Sequence, residues 1–272
     1  MSVALAFLGV RNWPARYGGP EGLETWCAPL YLAHTHALED LHVFGTVEVW
    51  SADNAARLRE DLPATCTLHT HDIPWGRDPD EIWAIFEAVV ACLETQTQPV
   101  ILDITHGFRH VPLLATLAAH YCAAAGTGRV SALTYAAMDM ARDTGFAPVL
   151  DLSPQLDLFG WAGAATLFSQ TGRTEAFGRP LTAMDAALRR ETRGQERLAG
   201  LNQLGRALAA VSADLTALRP GSLRHRSAPA LVTAATDAGV RAEVRAYAPP
   251  LAHLLDQLVA AAERAAIDGS DH

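Results

Sequence analysis

The stretch "ILDITHGFRHVP", residues 101–112, sets a Thr, a His and a Gly directly behind an apolar run. Gly107 lets a backbone approach a ligand closely, and peptide N–H groups ahead of a helix can bond an anion. Thr105, His106 and Arg109 add directed donors. Asp103 lies inside the strand end and reads as a residue that holds the loop. Together these groups suit a phosphate-like anion. They also suit a capped turn whose polar side chains satisfy backbone groups, and the motif alone does not choose between the two.

Other strand ends shift the balance. The segment "GVRNWPARYGG" supplies Gly9, Arg11, Asn12, Arg16 and Tyr17 after the first strand, Thr46 follows the second, and "YAAMD" ends a later one. In open parallel sheets ligands sit at the carboxyl ends of strands, so these ends predict one broad pocket.

Rival chemistries fit less well. The pairs His34/His36 and His69/His71 invite a metal, but "HTHDIP" does not continue into HxHxDH, and residues i and i+2 of a helix face apart. No metal and no cofactor are expected. All 21 basic residues are Arg, so a Walker A loop, a Schiff base and a lysine base are excluded. No GxSxG elbow occurs. Cys27, Cys66, Cys92 and Cys122 are far apart in apolar segments and read as buried free thiols.

The elements that position these residues alternate. Strands are predicted at 3–10, 41–50, 65–74, 99–104, 129–138 and 148–153, with helices over 22–39, 78–94 and 112–126. In the helix over 22–39, Pro29 is expected to limit or kink the run. Nearly continuous apolar strands alternating with helices predict an α/β, Rossmann-like fold: a mainly parallel, doubly wound sheet. Beyond residue 153 the pattern is Ala- and Leu-rich and helical, broken at "RPGS" (219–222) and "APP" (248–250), with "DGSDH" (268–272) as a frayed tail. The expected division is 1–155 and an all-helical 156–272.

The chain has 272 residues and a formal net charge of −9, which argues against a long nucleic-acid partner. The Arg-rich "RRETRGQER" (189–197) reads as a solvated helix face. No apolar run reaches the roughly 18 residues of a membrane helix, and a cytoplasmic location is expected.

"FLG" in the first strand, Thr46, "ILDITHGFRHVP", "TYAAMD" and "PVLDLSPQLDLFGWAGAATLF" together resemble the CRISPR-associated Rossmann-fold (CARF) domain of the DxTHG-motif group, over about residues 1–170. Asp103, Thr105, His106 and Gly107 match the motif. The resemblance implies a homodimer that binds cyclic oligoadenylate across its two-fold axis. By position, the contacts would come from Gly9, Val10, Arg11, Asn12, Thr46, Thr105, His106, Gly107, Phe108 and Arg109, and from the backbone of Ala136, Ala137 and Met138. Where the family often has YGA, this chain has Tyr135, Ala136 and Ala137.

Relatives usually carry a HEPN ribonuclease domain with RxxxxH on one helix. In "RHRSAP" Pro229 stands where Arg224 would need its His, and Arg219 and His225 have five residues and a Pro-Gly between them, which is expected to prevent a single helix. A pocket without its effector implies a metal-independent ring nuclease, most naturally for cyclic tetra-adenylate, leaving 2',3'-cyclic phosphates. Arg11 and Arg109 would steady charge, and His106 or Thr105 would hold or deprotonate the 2'-hydroxyl. A non-catalytic sensor and a divergent ligand-activated ribonuclease are the alternatives.

Overall fold

The computed structural model describes residues 2–12 and 14–267; the expected tail, 268–272, lies outside them. The chain divides into two compact units, the first ending at Leu156 and the second beginning at Asp157.

The first unit runs β1 (Val3–Phe7), β2 (Ala15–Tyr17), β3 (Leu23–Thr25), α1 (Ala28–Thr35), β4 (Asp40–Gly45), α2 (Val47–Ser51), α3 (Asn54–Asp61), β5 (Thr67–Asp72), α4 (Pro79–Glu94), β6 (Val100–Asp103), α5 (His110–Ala125), β7 (Val130–Ala136), α6 (Ala141–Thr144) and β8 (Val149–Asp151). The sheet order is β5-β4-β1-β6-β7-β8. All neighbours are parallel except β8, which pairs antiparallel with β7. Every residue of β1 and β6 is buried, as the apolar runs 3–7 and 100–102 require of strands covered on both faces; Asp103 ends β6 as a buried polar residue. One face packs Ile85, Val89, Val111 and Ala115 of α4 and α5 against it; the other packs Leu30, Leu32 and Leu58 of α1 and α3. The α/β, doubly wound reading therefore holds.

Local boundaries differ. The helix predicted over 22–39 begins only at Ala28, with Pro29 in its first turn instead of at a kink; residues 23–25 form a hairpin strand with β2. The strand predicted over 41–50 stops at Gly45, because Thr46 turns the chain at the sheet edge and Val49 N–H bonds Thr46 C=O to open α2. The β-branched Val47 and Val49 are thus helical, their strand preference overridden by topology. Helix α4 is capped by the Asp78 carboxylate, which accepts from Glu81 N–H at 2.9 Å, and it buries Ile85, Val89, Cys92 and Leu93 on one face. Of the four thiols, Cys66 is only half-buried.

In the sheet, β6 and β7 are bolted together at their carboxyl ends. The fully buried Asp103 carboxylate accepts from Thr105 N–H (3.1 Å), Thr105 Oγ1 (2.9 Å) and Thr134 Oγ1 (3.0 Å). Thr105 Oγ1 in turn accepts from Ala136 N–H at 2.8 Å. Burial pushes the Asp103 carboxyl up to about 6 although all these donors pull it down.

Helix α7 (Ser153–Thr171) leads into the second unit, which continues with α8 (Glu175–Glu191), α9 (Ala199–Thr216), α10 (Pro220–Ser222), a π-helical turn (Leu223–Ser227), α11 (Ala228–Thr236), α12 (Ala238–Tyr247), α13 (Pro249–Ala252) and α14 (Leu255–Ile267). Phe177, Leu181, Leu204, Leu208 and Leu231 anchor its own core. The break before α10 falls at Ala217–Arg219, where Leu218 takes φ 49°. Pro220 opens the next helix at its first position and Arg219 sits at the cap, so Arg219 and His225 do not share a helix, as expected, though the Pro-Gly begins that helix instead of breaking it. Helices α8 and α9 cross through glycines: a Cβ on Gly205 would meet Gly178 C=O at 2.9 Å.

Gly205→Leu is expected to destabilise the helical unit by about 1–3 kcal/mol, read by denaturant melts of the full chain; an unchanged midpoint would show that the close crossing is dispensable. For Asp103, the native state keeps its proton to about pH 6 while the unfolded chain releases it near 4, so this group's contribution to stability falls as pH rises through that window. The stability of wild type relative to Asp103→Asn is expected to drop by up to about 3 kcal/mol between pH 4 and 6.5. A flat difference across that range would place the proton elsewhere.

Candidate functional site

A cavity of about 340 Å³ opens at the carboxyl ends of β1, β4 and β6. Its floor is apolar: Phe7, Leu8, Phe44, Val49, Ile73 and Val111. Gly9, Val10 and Arg11 rim it from the β1 end, Gly45 and Thr46 from β4, and Gly107 and Phe108 from the β6 loop. Volume and lining match those of small-ligand pockets, which are mostly apolar with a few placed polar groups.

Aromatic rings form one wall. Trp75 lies against Phe108 with ring centroids 4.8 Å apart, and Phe108 stacks on His110 at 5.8 Å. The Arg77 guanidinium sits 4.8 Å over the Trp75 ring, and Trp75 Nε1–H donates to both Glu48 carboxylate oxygens at 3.1 Å. The indole is therefore fixed in place, as a stacking surface for a flat heterocycle must be.

Two buried polar atoms lack full satisfaction within the protein, one on Thr46, which lines the cavity, and one on Asn12, which does not. Asn12 donates through Nδ2 to Gly9 C=O at 2.7 Å, which bends the β1 loop, while its buried Oδ1 accepts no hydrogen bond. Thr46 Oγ1 is buried as well and lies near the Glu48 carboxylate without a hydrogen bond of normal geometry. Buried groups of this kind are ready partners for a bound molecule. Gly107 adopts φ 102°, a conformation that side chains resist, and a Cβ there would press to 3.3 Å from Phe7. The exposed Arg11 is the cation of the rim.

Several residues expected in the pocket are placed otherwise. The Thr105 hydroxyl donates to Asp103 and accepts from Ala136 N–H, so it positions the loop instead of meeting a ligand. His106 Nε2 accepts from Ala28 N–H at 3.1 Å, with Tyr17 OH at 3.5 Å, which puts the ring proton on Nδ1 and commits the basic lone pair to the start of α1. Burial lowers the His106 imidazole to about 4, keeping it neutral. For these two residues the capped-turn alternative is the one realised. Arg109 is exposed at the start of α5 and does not line the cavity. Tyr17 is buried, stacked on Tyr31 at 5.8 Å, with its hydroxyl pushed upward by burial. Ala136, Ala137 and Met138 pack around it or behind the β7 end, outside the cavity.

What the sequence reading missed is the aromatic and aliphatic part: Phe44, Ile73, Trp75 and Val111. Ile73 and Trp75 immediately follow β5, and a Trp just past a strand end was the available signal.

In the helical unit, Arg189, Arg197 and Arg206 border a shallow cavity with Asn202 and Gln203. Arg189 pairs with Asp185 at 2.6 Å. Arg219 and Arg226 act on Asp214, whose carboxylate accepts from Ser222 Oγ at 2.8 Å; the Ser222 hydroxyl, more than any other group, holds that carboxyl low.

No family model matches the sequence. The chain is 30% identical over 104 residues to the CRISPR-associated protein MJ1674 of Methanocaldococcus jannaschii, a match covering 38% of this chain and 16% of that protein, so the chain spans about a sixth of the relative's length. Among solved structures it is similar to Enterococcus italicus Csm6 bound to cyclic hexa-2'-fluoro-hexa-dAMP, at 10% identity and a TM-score of 0.49, over 98% of this chain and 62% of that one.

Proposed function

We propose that this chain is a CARF-type CRISPR-associated protein of the DxTHG group that binds cyclic oligoadenylate in the pocket at the β1, β4 and β6 ends. The observation that carries the reading is the pocket itself: an apolar cleft with a fixed Trp75–Phe108 wall, a rim cation at Arg11, and a buried hydroxyl on Thr46. An adenine stacks on such a wall, and its phosphate meets Arg11 and the peptide N–H groups around Gly107. The sequence likeness to a CRISPR-associated protein supports the same context.

The ring ligand calls for two copies of the site. An exposed apolar stripe on α4 and α5, with Trp83, Leu113 and Tyr121 each more than half exposed, supports a homodimer. Among the described residues no helix is long and apolar enough to cross a membrane, in keeping with action in the cytoplasm.

The further step we propose is ring cleavage, which would switch off type III CRISPR signalling. The ribose 2'-oxygen attacks the adjacent phosphorus as the P–O5' bond breaks; the 2'-hydroxyl proton leaves to solvent and the 5'-oxygen takes one up, giving a linear product with a 2',3'-cyclic phosphate. Because Thr105 and His106 are committed to internal bonds, the protein's part is alignment of the 2'-oxygen and charge stabilisation by Arg11 and the Gly107 loop amides. Such catalysis is slow, and the commitment of both groups is also what favours the second reading, a sensor that binds without turnover. The helical unit supports the ribonuclease alternative less, since Arg219 stands outside the helix that carries His225.

The test is incubation with cyclic tri-, tetra- and hexa-adenylate in EDTA, with affinity and products measured together. Binding is expected to fall by about tenfold or more for Trp75→Ala, and cleavage by about 100-fold for Arg11→Ala. His106→Ala should lower stability more than it lowers any turnover. Tight binding without linear product over hours selects the sensor, linear RNA cut only when a ring is present selects the ribonuclease, and no binding of any ring overturns the proposal.

A further inference from the structure

Away from the pocket, the edge of the sheet gathers side chains that the proposed function does not use. His42 on β4, His71 on β5 and Cys92 in the last turn of α4 bring one ligand atom each to within 4.8 Å of the others. His42 Nδ1 lies 3.0 Å from His71 Nε2, and Cys92 Sγ lies 4.0 Å from the same nitrogen. Around a tetrahedral ion with Zn–N of about 2.05 Å and Zn–S of about 2.3 Å, the ligand atoms stand about 3.3 Å (N to N) and 3.6 Å (N to S) apart. Both observed spacings fall within half an ångström of these values. His42 lies three residues before Gly45, about 10 Å along the strand from the pocket end, so the cluster is separate from the pocket.

We propose that His42 Nδ1, His71 Nε2 and Cys92 Sγ form a binding site for a divalent d-block ion that accepts nitrogen and sulfur ligands, zinc foremost, with water in the fourth position. A set of two imidazoles and one thiolate selects zinc over the hard cations magnesium and calcium.

The surroundings are arranged as a metal site needs. The Gln96 side chain stands 3.4 Å from His42 Nε2 and is anchored to Cys92 C=O at 3.1 Å. Turning that amide would exchange its bond to Cys92 C=O for one in which Gln96 Oε1 accepts from His42 Nε2–H, which leaves Nδ1 free to coordinate. His69 stacks on His42 at 4.5 Å and is itself held by Asp40 at 2.7 Å. Burial lowers the His42 imidazole to about 4 and His71 in the same direction, so both keep their lone pairs available. Cys92, whose thiol burial pushes up to about 12, gives its proton to solvent when the ion binds. Both histidines are half-buried on the sheet's rim, which leaves the ion a way in. Bound there, it ties the edge strand β5 and its neighbour β4 to the end of α4.

The experiment strips the untagged full chain with chelator and titrates it with cobalt(II), then with zinc against a competing indicator. One equivalent per chain is expected, with a thiolate-to-cobalt charge-transfer band in the near ultraviolet and a thermal midpoint that rises with zinc. Cys92→Ser should abolish the band, His42→Gln and His71→Gln should each weaken zinc binding by more than tenfold, and Gln96→Leu should weaken it by about 10–100-fold. Cys66→Ser, outside the cluster, should change nothing. Far-ultraviolet dichroism checks each fold; should Cys92→Ser not fold, the His42 and Gln96 variants decide. Absence of stoichiometric binding, or an unchanged cobalt band in Cys92→Ser, overturns the proposal.

Discussion

A carboxylate cut off from water at the end of the central strand β6 governs the arrangement of this molecule. Asp103 is acceptable there only because hydroxyls and an amide from its own loop and from β7 surround it. That requirement fixes the Thr105 rotamer, joins β6 to Ala136 of β7, and sets the path of the chain into Gly107. Gly107 then turns with a positive φ, clears Phe7, and delivers Phe108 to the pocket wall. The wall of the cavity is thus a by-product of satisfying one buried carboxyl group.

This ordering divides the motif between two faces. Thr105 and His106 point inward and finish hydrogen bonds of the scaffold, whereas Gly107 and Phe108 point to the cavity. A residue whose lone pair is already bonded to a helix amide is a poor base, and an imidazole held neutral is a poor acid. What the motif leaves to the pocket is the Gly107 turn and the Phe108 ring, opposite the exposed Arg11 of the β1 loop.

The sheet was legible because β1 and residues 100–102 of β6 are apolar runs, as strands covered on both faces require. Asp103 as a loop holder was also readable from its type and place at the strand end. The direction of Thr105 and His106 was not: it depends on Ala136 and Ala28, far away in sequence. Nor was the strand after residue 45 correctly bounded, since Val47 and Val49 carry strand preference but lie past the sheet edge. The aromatic wall escaped for the same reason, because nothing local links Trp75 to Phe108.

The bond from Ala28 N–H to His106 spans 78 residues, and it bears on the order in which the molecule assembles. Helix α1 receives no side-chain cap from Cys27, so its first amide stays without this partner until β6 has entered beside β1 and brought the imidazole into reach. Closing the first helix and seating the central strand thus share one non-local contact, of the kind that long sequence separation makes slow to form.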